Sequence, residues 1–401
     1  MANVSSSNGL EKRPKLRFPS FDEPYKQCRI GDIYAERSQR GASDMELLSV
    51  TMNDGVMPRS EIEGKDNSSE DKSNYKVVLT GDMVYNSMRM WQGANGISPC
   101  DGIVSPAYTV LMPKIPISNG YFAAFFKSPN LINEFRKNSQ GMTSDTWNLK
   151  YPQIETIKVC IPALSEQNRV ADMLRTLERR IAKQAQLVDN LKKYKRGVVR
   201  TLLSPDSCCI EETTWTTAKI GDLGSFTKGA PLSKADITPD GTPFILYGEL
   251  YTTYHEVINS VIRRTKAQPE KQYYSHVGDV IIPTSGETPE EISTAACVML
   301  PDIILAGDLN IFRSSKIDGR IMSYILNHIV NGQIARIAQG KSVVHIQASE
   351  ISKIEISYPD YNTQCKMISV FETVGARIKS AENELTYLRT MQKALLQQLF
   401  I

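Results

Sequence analysis

The sequence lacks the features that mark membrane-spanning or disulfide-stabilised proteins. None of its apolar runs approaches the roughly 18 residues that a membrane-spanning helix needs. Its seven cysteines are unevenly spaced and include no C-x-x-C pair, so we expect reduced thiols in the cytoplasm rather than a zinc site or a disulfide framework. The stretch Met1–Leu10 is rich in Ser and Asn and has no apolar segment typical of a signal peptide, and we interpret residues 1–17 as a flexible tail.

The motifs of nucleotide-binding and methyl-transferring enzymes are also missing. The sequence contains neither G-x-G-x-x-G nor the Asn/Asp-Pro-Pro-Tyr/Phe motif of amino-methyltransferases. Gln339–Ser342 is like the end of a P-loop, but Ala335 stands where that loop needs glycine. Thr284-Ser285-Gly286 lacks the flanking glycine of a nucleophile elbow, and the four histidines are widely scattered. We therefore predict no catalytic residue, no metal site and no cofactor in this chain.

What the chain does contain is an internal repeat. The pairs Gly31-Asp32, Gly81-Asp82 and Gln140-Gly141 recur later in the chain at offsets of 190, 197 and 199 residues. The match then becomes gapless, because residues 154–204 align with residues 351–401 at a constant offset of 197. A repeat of this kind predicts a globular half, a long helix, a second globular half and a second long helix.

The two long helices carry the clearest periodic signal. Apolar residues recur at alternating steps of four and three for more than four heptads, which favours a coiled-coil seam over separate packing of each helix on its own domain. Each helix covers about 38 residues, or ~57 Å. Lys195 and Gln392 share one seam level, where we expect them to reach water near an end of the coil. The predicted seam consists of Val170, Leu174, Leu177, Ile181, Val188, Leu191, Val198, Leu202, Met367, Phe371, Val374, Ile378, Leu385, Leu388, Leu395 and Leu399.

Each globular half is predicted to be mixed α/β, which makes the fold class of the chain α+β. Short apolar runs at Tyr75–Leu79, Val280–Pro283 and Ala295–Leu300 are typical of strands. Gly120–Lys137 and Gly319–Ala338 are predicted to be helices, each ending just before a Gln-Gly pair.

The positive charge is localised in the first long helix. The net charge of the whole chain is only +3, but residues 166–203 contain ten Lys or Arg and four Asp or Glu. This excess favours contact with phosphates or with an acidic partner, and a solvated helix face is the alternative. The basic residues crowding the helix end are Lys192, Lys193, Lys195, Arg196 and Arg200.

Several loops place amide, hydroxyl and cationic groups beside glycines. Arg can bind guanine O6 and N7, Gln or Asn can bind adenine, and glycine allows close approach to a backbone or groove. For Asn86–Gly93 the alternative is a strand followed by a turn with Trp91 in the core. For the other loops the alternative is a plain surface turn. The candidate DNA-binding residues are Asn86, Arg89, Gln92, Gln140, Thr143, Ser144, Thr284, Ser285, Lys341 and Ser342.

The order of these features resembles the specificity subunit of type I restriction-modification enzymes. Both halves contain two Gly-Asp pairs, a Gln-Gly pair and then Ile-x-x-Ile-x-Val/Ile-x-x-Pro before the long helix. Ile154–Pro162, followed by Ser165-Glu166-Gln167, is similar to the family's junction between a target recognition domain and its helix. Gly81–Gly93 and Gly278–Glu287 look like two common variants of the recognition domain. The resemblance covers Lys15–Ile401.

The resemblance implies a DNA reader without catalysis of its own. Two target recognition domains, residues 18–163 and 205–360, would each read one half of an asymmetric, split site in double-stranded DNA. The helices, residues 164–204 and 361–401, would form an antiparallel coiled coil that fixes the spacer. Thr363 departs from the pattern, because Glu is usual there, and this puts a helix-start interaction in doubt.

The resemblance also implies partners and no membrane association. Two separate methyltransferase subunits would carry S-adenosylmethionine, and separate motor subunits with endonuclease activity would hydrolyse ATP and cleave DNA. Two alternatives remain open at this point. The chain could be a methyltransferase or nuclease with an undetected site, or a coiled-coil scaffold without a DNA role.

Overall fold

The computed structural model describes residues 13–41, 44–52, 55–66, 68–143, 146–340 and 344–401. The chain divides into two compact units. The first unit consists of Met1–Ala185 with Asn383–Ile401, and the second consists of Gln186–Glu382. Each unit therefore combines one globular half with a stretch of both long helices. Among the described residues, no helix is long and apolar enough to cross a membrane.

The first unit is built from short antiparallel strands with helices packed on them. Its largest sheet has the strand order β2-β9-β6-β7, and β1–β10, β3–β4 and β5–β8 form separate pairs. The elements are β1 (Lys26–Arg29), α1 (Ile30–Ile33), β2 (Tyr34–Glu36), β3 (Leu48–Thr51), β4 (Gly55–Pro58), β5 (Lys76–Val78), β6 (Met83–Asn86), β7 (Asn95–Ile97), β8 (Gly102–Val104), β9 (Tyr108–Pro113), α2 (Asn119–Phe125), α3 (Pro129–Asn138), α4 (Tyr151–Ile154), β10 (Lys158–Ile161) and the long α5 (Leu164–Leu202), with 3-10 turns at Arg59–Glu61 and Met90–Gln92.

The predicted helix over Gly120–Lys137 is two helices in the structure. α2 ends at Phe125, and α3 begins at Pro129. Proline is favoured at the first position of a helix but has no N–H to continue a preceding one, and the hydroxyl of Ser128 caps α3 by accepting from the Leu131 amide at 3.4 Å. The prediction of a single helix was therefore wrong, because Ser128-Pro129 ends one helix and starts another.

The second unit has a larger sheet, with strand order β12-β20-β16-β18-β14, beside a three-stranded sheet, β15-β13-β19. The pairs β11–β22 and β17–β21 lie apart from these sheets. The elements are β11 (Trp215–Lys219), α6 (Ile220–Leu223), β12 (Gly224–Lys228), β13 (Thr242–Leu246), α7 (Glu249–Thr252), β14 (Val257–Ile258), β15 (Arg263–Thr265), β16 (Asp279–Pro283), β17 (Ser285–Gly286), α8 (Pro289–Ile292), β18 (Ala296–Val298), β19 (Ile304–Ala306), β20 (Leu309–Ser314), α9 (Gly319–His328), α10 (Asn331–Ile337), β21 (Val344–His345), α11 (Ala348–Ile351), β22 (Glu355–Pro359) and the long α12 (Tyr361–Gln398), with 3-10 turns at Lys234–Asp236 and Lys271–Tyr273.

The predicted helix over Gly319–Ala338 is also broken in two. The amides of Ile329 and Val330 both donate to the carbonyl of Ile325, at 2.9 and 3.1 Å, which closes α9 as helix C-termini commonly do. Val330 is buried and Ile334 packs in the same core, so burial continues into α10 although the helix does not.

The first glycine of each repeat lies against the loop that precedes the last strand of its globular half. The amide of Gly31 donates to the Glu155 carbonyl at 3.0 Å, and the amide of Gly221 donates to the Ser352 carbonyl at the same distance. A Cβ at either glycine would lie 3.0 Å from the Cβ of the facing residue. Glycine is therefore needed at both positions because two backbone segments meet there.

A buried glutamine joins each long helix to its globular half. The side chain of Gln167 donates to the Pro162 carbonyl at 2.9 Å and accepts from the Ser118 amide at 3.0 Å. Gln364 makes the equivalent bonds at the start of α12, to Pro359 and Asp318. Both amide side chains are almost fully buried, so each bridge satisfies backbone groups that water cannot reach.

The two long helices start differently. Glu166 accepts from the guanidinium of Arg17 at 2.8 and 2.9 Å and from the Tyr25 hydroxyl at 3.2 Å. Arg17 falls within the segment that we expected to be a flexible tail, whereas residues 1–12 of that segment lie outside the described residues. At the equivalent place, Asp360 accepts from the Thr363 amide at 3.1 Å and from its hydroxyl at 2.9 Å. A local cap therefore replaces the long-range ion pair in the second copy.

Within each unit, the stretches of the two long helices pack antiparallel, as in the predicted coiled coil. In the first unit, Val170 at the beginning of α5 shares a core with Leu399 at the end of α12. In the second unit, Leu202 at the end of α5 shares a core with Met367 near the beginning of α12. All sixteen predicted seam residues are buried or partly buried.

Candidate nucleic-acid interface

The first candidate segment is a tight turn after a buried strand. β6 ends at Asn86, whose side-chain oxygen accepts from the Met88 amide at 3.0 Å. A 3-10 turn over Met90–Gln92 follows, and Gly93 ends it with φ +86°, a left-handed conformation that favours glycine. Met90 is fully buried and anchors the turn, whereas Arg89 and Gln92 are exposed. A buried apolar anchor thus presents two polar side chains to solvent.

A second segment of the same unit packs beside this turn. Gln140 and Asn148 exchange backbone hydrogen bonds at 2.9 and 2.8 Å, closing the loop between them. The chain then returns to the turn, where the Leu149 amide donates to the Ser87 carbonyl at 2.9 Å. The two segments, residues 86–92 and 140–149, are called loop pair 1 below.

Two tryptophans reinforce the contact between the segments of loop pair 1. The rings of Trp91 and Trp147 meet edge to face with centroids 5.2 Å apart, and the guanidinium of Arg136 lies 5.7 Å from the centre of the Trp91 ring. Trp91 is only partly buried, so it belongs to the surface of the loop pair rather than to the core of the unit.

The second unit brings its own two candidate segments together. Ser285 in β17 pairs with His345 in β21, and Gln339 exchanges backbone hydrogen bonds with His345 at 3.0 and 2.8 Å. The Ile346 amide donates to the Thr284 carbonyl at 3.0 Å. Residues 284–286 and 339–346 are called loop pair 2 below.

The two loop pairs have the same framework. The Leu149–Ser87 bond in loop pair 1 corresponds to the Ile346–Thr284 bond in loop pair 2, because both donors and both acceptors are offset by 197 positions. The repeat in the sequence is therefore also a repeat of backbone contacts. The side chains on the two frameworks differ. Loop pair 1 exposes Arg89 and Gln92, whereas Thr284–Gly286 of loop pair 2 contains neither arginine nor glutamine.

An ion pair with a buried carboxylate lies at the start of each strand that leads to a loop pair. The guanidinium of Arg37 donates to the Asp82 carboxylate at 2.6 and 3.1 Å, and that of Arg313 donates to Asp279 at 2.7 and 2.6 Å. Both carboxylates are nearly fully buried and belong to the repeated Gly-Asp pairs. Neither arginine was identifiable from the sequence, because they lie 45 and 34 residues from their partners.

The other candidate residues have varied surroundings. Gln140, Thr143 and Gln339 are exposed, and Thr284 is partly buried. Ser285 is only 5% exposed, and its hydroxyl donates to Asp308 at 2.7 Å, so this side chain supports loop pair 2 from inside. Ser144, Lys341 and Ser342 lie outside the described residues.

The basic end of α5 is partly neutralised. Lys192 pairs with Glu382 at 2.7 Å. Lys195 was expected to reach water, but its side chain is only 16% exposed and its ammonium group bonds to Glu256 at 2.7 Å. Lys193, Arg196 and Arg200 stay exposed on the same stretch of helix. The cationic surface of this stretch is therefore smaller than the sequence suggests.

Glu256 is the centre of a buried charge network. Its second oxygen lies 2.8 Å from Nε2 of His328, and the ring of Tyr324 lies 5.4 Å from the Lys195 ammonium group. Burial alone would raise the pKa of Glu256, but the hydrogen bond with His328 and the charge and hydrogen bond of Lys195 lower it to about 2. Glu256 is thus ionised inside the second unit and ties α5 to α9. In the described part of the chain, no group of three or more His, Cys, Asp or Glu side chains could hold a metal ion.

Comparisons with known proteins agree with this architecture. The model of the type I restriction modification DNA specificity domain matches residues 212–389. The S subunit of a type I restriction-modification system from M. genitalium has a similar structure, with a TM-score of 0.58 and 14% identity over 97% of this chain and 99% of that chain.

A second similar structure comes from work on complex assembly and conformational transition of the type I R-M system. It has a TM-score of 0.61 and 13% identity over 93% of this chain and 96% of that chain. Residues 212–389 therefore match the model of the type I restriction modification DNA specificity domain, and the whole chain shares its fold with these two structures, in agreement with the resemblance seen in the sequence.

Proposed function

We propose that this chain is the non-catalytic DNA sequence-specificity subunit of a type I restriction-modification complex. The observation that carries the proposal is the duplicated loop pair. Each unit holds two segments together on the same backbone framework. The hydrogen bonds of the two frameworks correspond to one another at an offset of 197 positions. Duplicated frameworks with different exposed side chains are what two readers of two different half-sites require.

The two target recognition domains are assigned to residues 18–163 and 205–360. The first would read bases with Arg89 and Gln92, assisted by Asn86 and the loop residues Gln140, Thr143 and Ser144. The second would use Thr284 with Lys341 and Ser342, and Ser285 would position the loop. The site should be asymmetric because these two sets of side chains differ in charge and hydrogen-bonding capacity. The coiled coil would set the length of the unread spacer between the half-sites.

The activity of the complex would reside in partner subunits. Two methyltransferase subunits with S-adenosylmethionine would methylate adenines, and motor subunits with ATP would translocate and cleave the DNA. The exposed Lys193, Arg196 and Arg200 on α5 are available to an acidic partner surface or to phosphates. We place this assembly in the cytoplasm, where host DNA is accessible and thiols stay reduced.

Sequencing of methylated adenines in host DNA tests the proposal directly. Cells that express this chain with its methyltransferase partner should methylate one bipartite, asymmetric site. Replacement of Phe21–Leu149 by the equivalent domain of a relative should change one half-site and leave the other. Alteration of both halves would contradict the assignment of one half-site to each domain.

A second experiment distinguishes a DNA reader from an enzyme. The purified chain is incubated with labelled S-adenosylmethionine and DNA, with and without the methyltransferase partner. Methyl transfer should need the partner. Transfer by the chain alone would contradict the proposal, and absence of salt-dependent DNA binding in the complex would favour a scaffold.

A further inference from the structure

Loop pair 1 exposes two methionines that contribute little to the fold. Met142 is 100% exposed and Met88 is 43% exposed. Each belongs to one of the two segments that the Trp91–Trp147 contact joins. We call Met88, Trp91, Met142 and Trp147 the methionine patch. Exposed methionines on segments that two partly buried tryptophans join indicate a surface that is covered on binding, and methionine is common on such surfaces.

The neighbours of the methionine patch indicate that nucleic acid covers it. Arg89, Gln92 and Arg136 are exposed around it, and no carboxylate pairs with their side chains among the described residues. Arginine and glutamine beside a groove-facing surface fit phosphates and the polar edges of bases. A partner protein would be expected to offer acidic groups to these arginines, which makes it the alternative that the experiment must exclude.

The major groove offers such a patch a single apolar group. All four bases present hydrogen-bonding atoms there, but only thymine also presents a methyl group, on its C5 atom. We propose that Met142, assisted by Met88, recognises a thymine methyl group in the half-site read by the first unit. This inference rests on the proposed function and adds to it, because it specifies one base type that this half-site must contain.

Deoxyuridine provides the test, because it removes the methyl group and keeps the hydrogen-bonding edge of thymine. The full chain is assembled with its methyltransferase subunits, and the duplex carries the site found by methylation sequencing. The half-site of the first unit is identified by the domain replacement described above. Each of its thymines is then replaced singly by deoxyuridine, and equilibrium binding is measured by fluorescence anisotropy at a fixed salt concentration.

At one position at least, deoxyuridine should weaken binding roughly fourfold, the factor that corresponds to about 0.8 kcal/mol for one buried carbon group. In a Met142→Ala complex this discrimination should fall below about twofold, since the variant has lost the surface that the methyl group contacts. Met52 is the matched control, because it is 47% exposed in the same unit outside loop pair 1. Met52→Ala should keep the fourfold discrimination.

Several results would overturn the inference. A first half-site without thymine, or equal affinity for thymine and deoxyuridine at every position, would exclude methyl recognition. Equal discrimination by Met142→Ala and the unaltered complex would assign it to other residues. Weakened assembly with the methyltransferase subunits but unchanged discrimination would identify the patch as a protein contact. Absence of any sequence-specific methylation would overturn the proposed function as well.

Discussion

Removal of the Lys195 ammonium group should destabilise the second unit by about 2 kcal/mol. Lys195→Met keeps an unbranched apolar stem but leaves Glu256, whose side chain is 13% exposed, with His328 alone. The pKa of Glu256 is lowered from 4.5 to about 2 in the folded protein. At 1.36 kcal/mol per pKa unit, this lowering corresponds to ~3 kcal/mol of stabilisation of the folded state. Both His328 and Lys195 contribute to it.

Tryptophan fluorescence allows the second unit to be followed separately. Trp215 is its one tryptophan, and replacement of Trp91 and Trp147 by phenylalanine removes the signal of the first unit. In urea, Lys195→Met should lower the midpoint by about 1 M, given a slope of about 2 kcal/mol per M. Lys193→Met is the matched control, because Lys193 is exposed on the same helix, and it should shift the midpoint by a few tenths of 1 M at most.

The pH dependence provides an independent check. A carboxyl group with a lowered pKa in the folded state stabilises the protein above its unfolded pKa, and this stabilisation is lost as the pH falls. For Glu256 the loss should occur between pH 4.5 and about 2. Glu256→Gln should lack this part of the acid dependence. The double variant Lys195→Met with Glu256→Gln should recover stability relative to Lys195→Met, because no unpaired charge stays buried.

Equal urea midpoints for Lys195→Met and Lys193→Met would contradict a stabilising role of the Lys195–Glu256 pair. A parallel loss of stability of Glu256→Gln and the unaltered protein below pH 4.5 would contradict it as well. Either result would mean that water compensates the Glu256 carboxylate as well as Lys195 does.

The remaining predictions concern DNA. Arg89→Ala should cost roughly 1–3 kcal/mol of binding and relax one position of the recognised sequence, as measured by binding to a duplex library, and unchanged preference would exclude Arg89 as a base reader. Lys341→Ala should weaken all sequences alike and flatten the salt dependence of binding by about one unit if Lys341 contacts phosphate. Insertion of one heptad after Gln184 and another after Ala381 should lengthen the coil by ~10 Å and the recognised spacer by at most about three base pairs. A double-insertion protein that folds and still methylates the original spacer would show that the helices do not set the distance.

The long helices were predictable because their information is local. A heptad pattern can be recognised within a few helical turns, and the constant offset of 197 residues shows that the pattern occurs twice. α5 and α12 accordingly cover Leu164–Leu202 and Tyr361–Gln398, within three residues of the expected ends. The break at Ser128-Pro129 was missed although the proline signals it.

The site was less predictable because it depends on contacts between distant residues. The sequence places Ser285 in a polar loop but gives no sign that Asp308 accepts its hydroxyl inside the unit. Lys195 interrupts an apolar seam, and its partner Glu256 lies 61 residues further along the chain. Such pairs follow from the fold, and no local pattern of residue types reports them.

The two loop pairs are held by main-chain hydrogen bonds, and this has an evolutionary consequence. The bond from Leu149 to Ser87 joins a main-chain N–H donor to a main-chain carbonyl acceptor. Every non-proline residue carries both groups, so the bond does not depend on the side chains. Exposed neighbours such as Met88, Arg89 and Gln92 can therefore mutate without loosening the framework. Under the proposed function, drift at a handful of solvent-facing positions would be enough to create a new target sequence, and a library randomised at those positions would sample new specificities with little loss of folded protein.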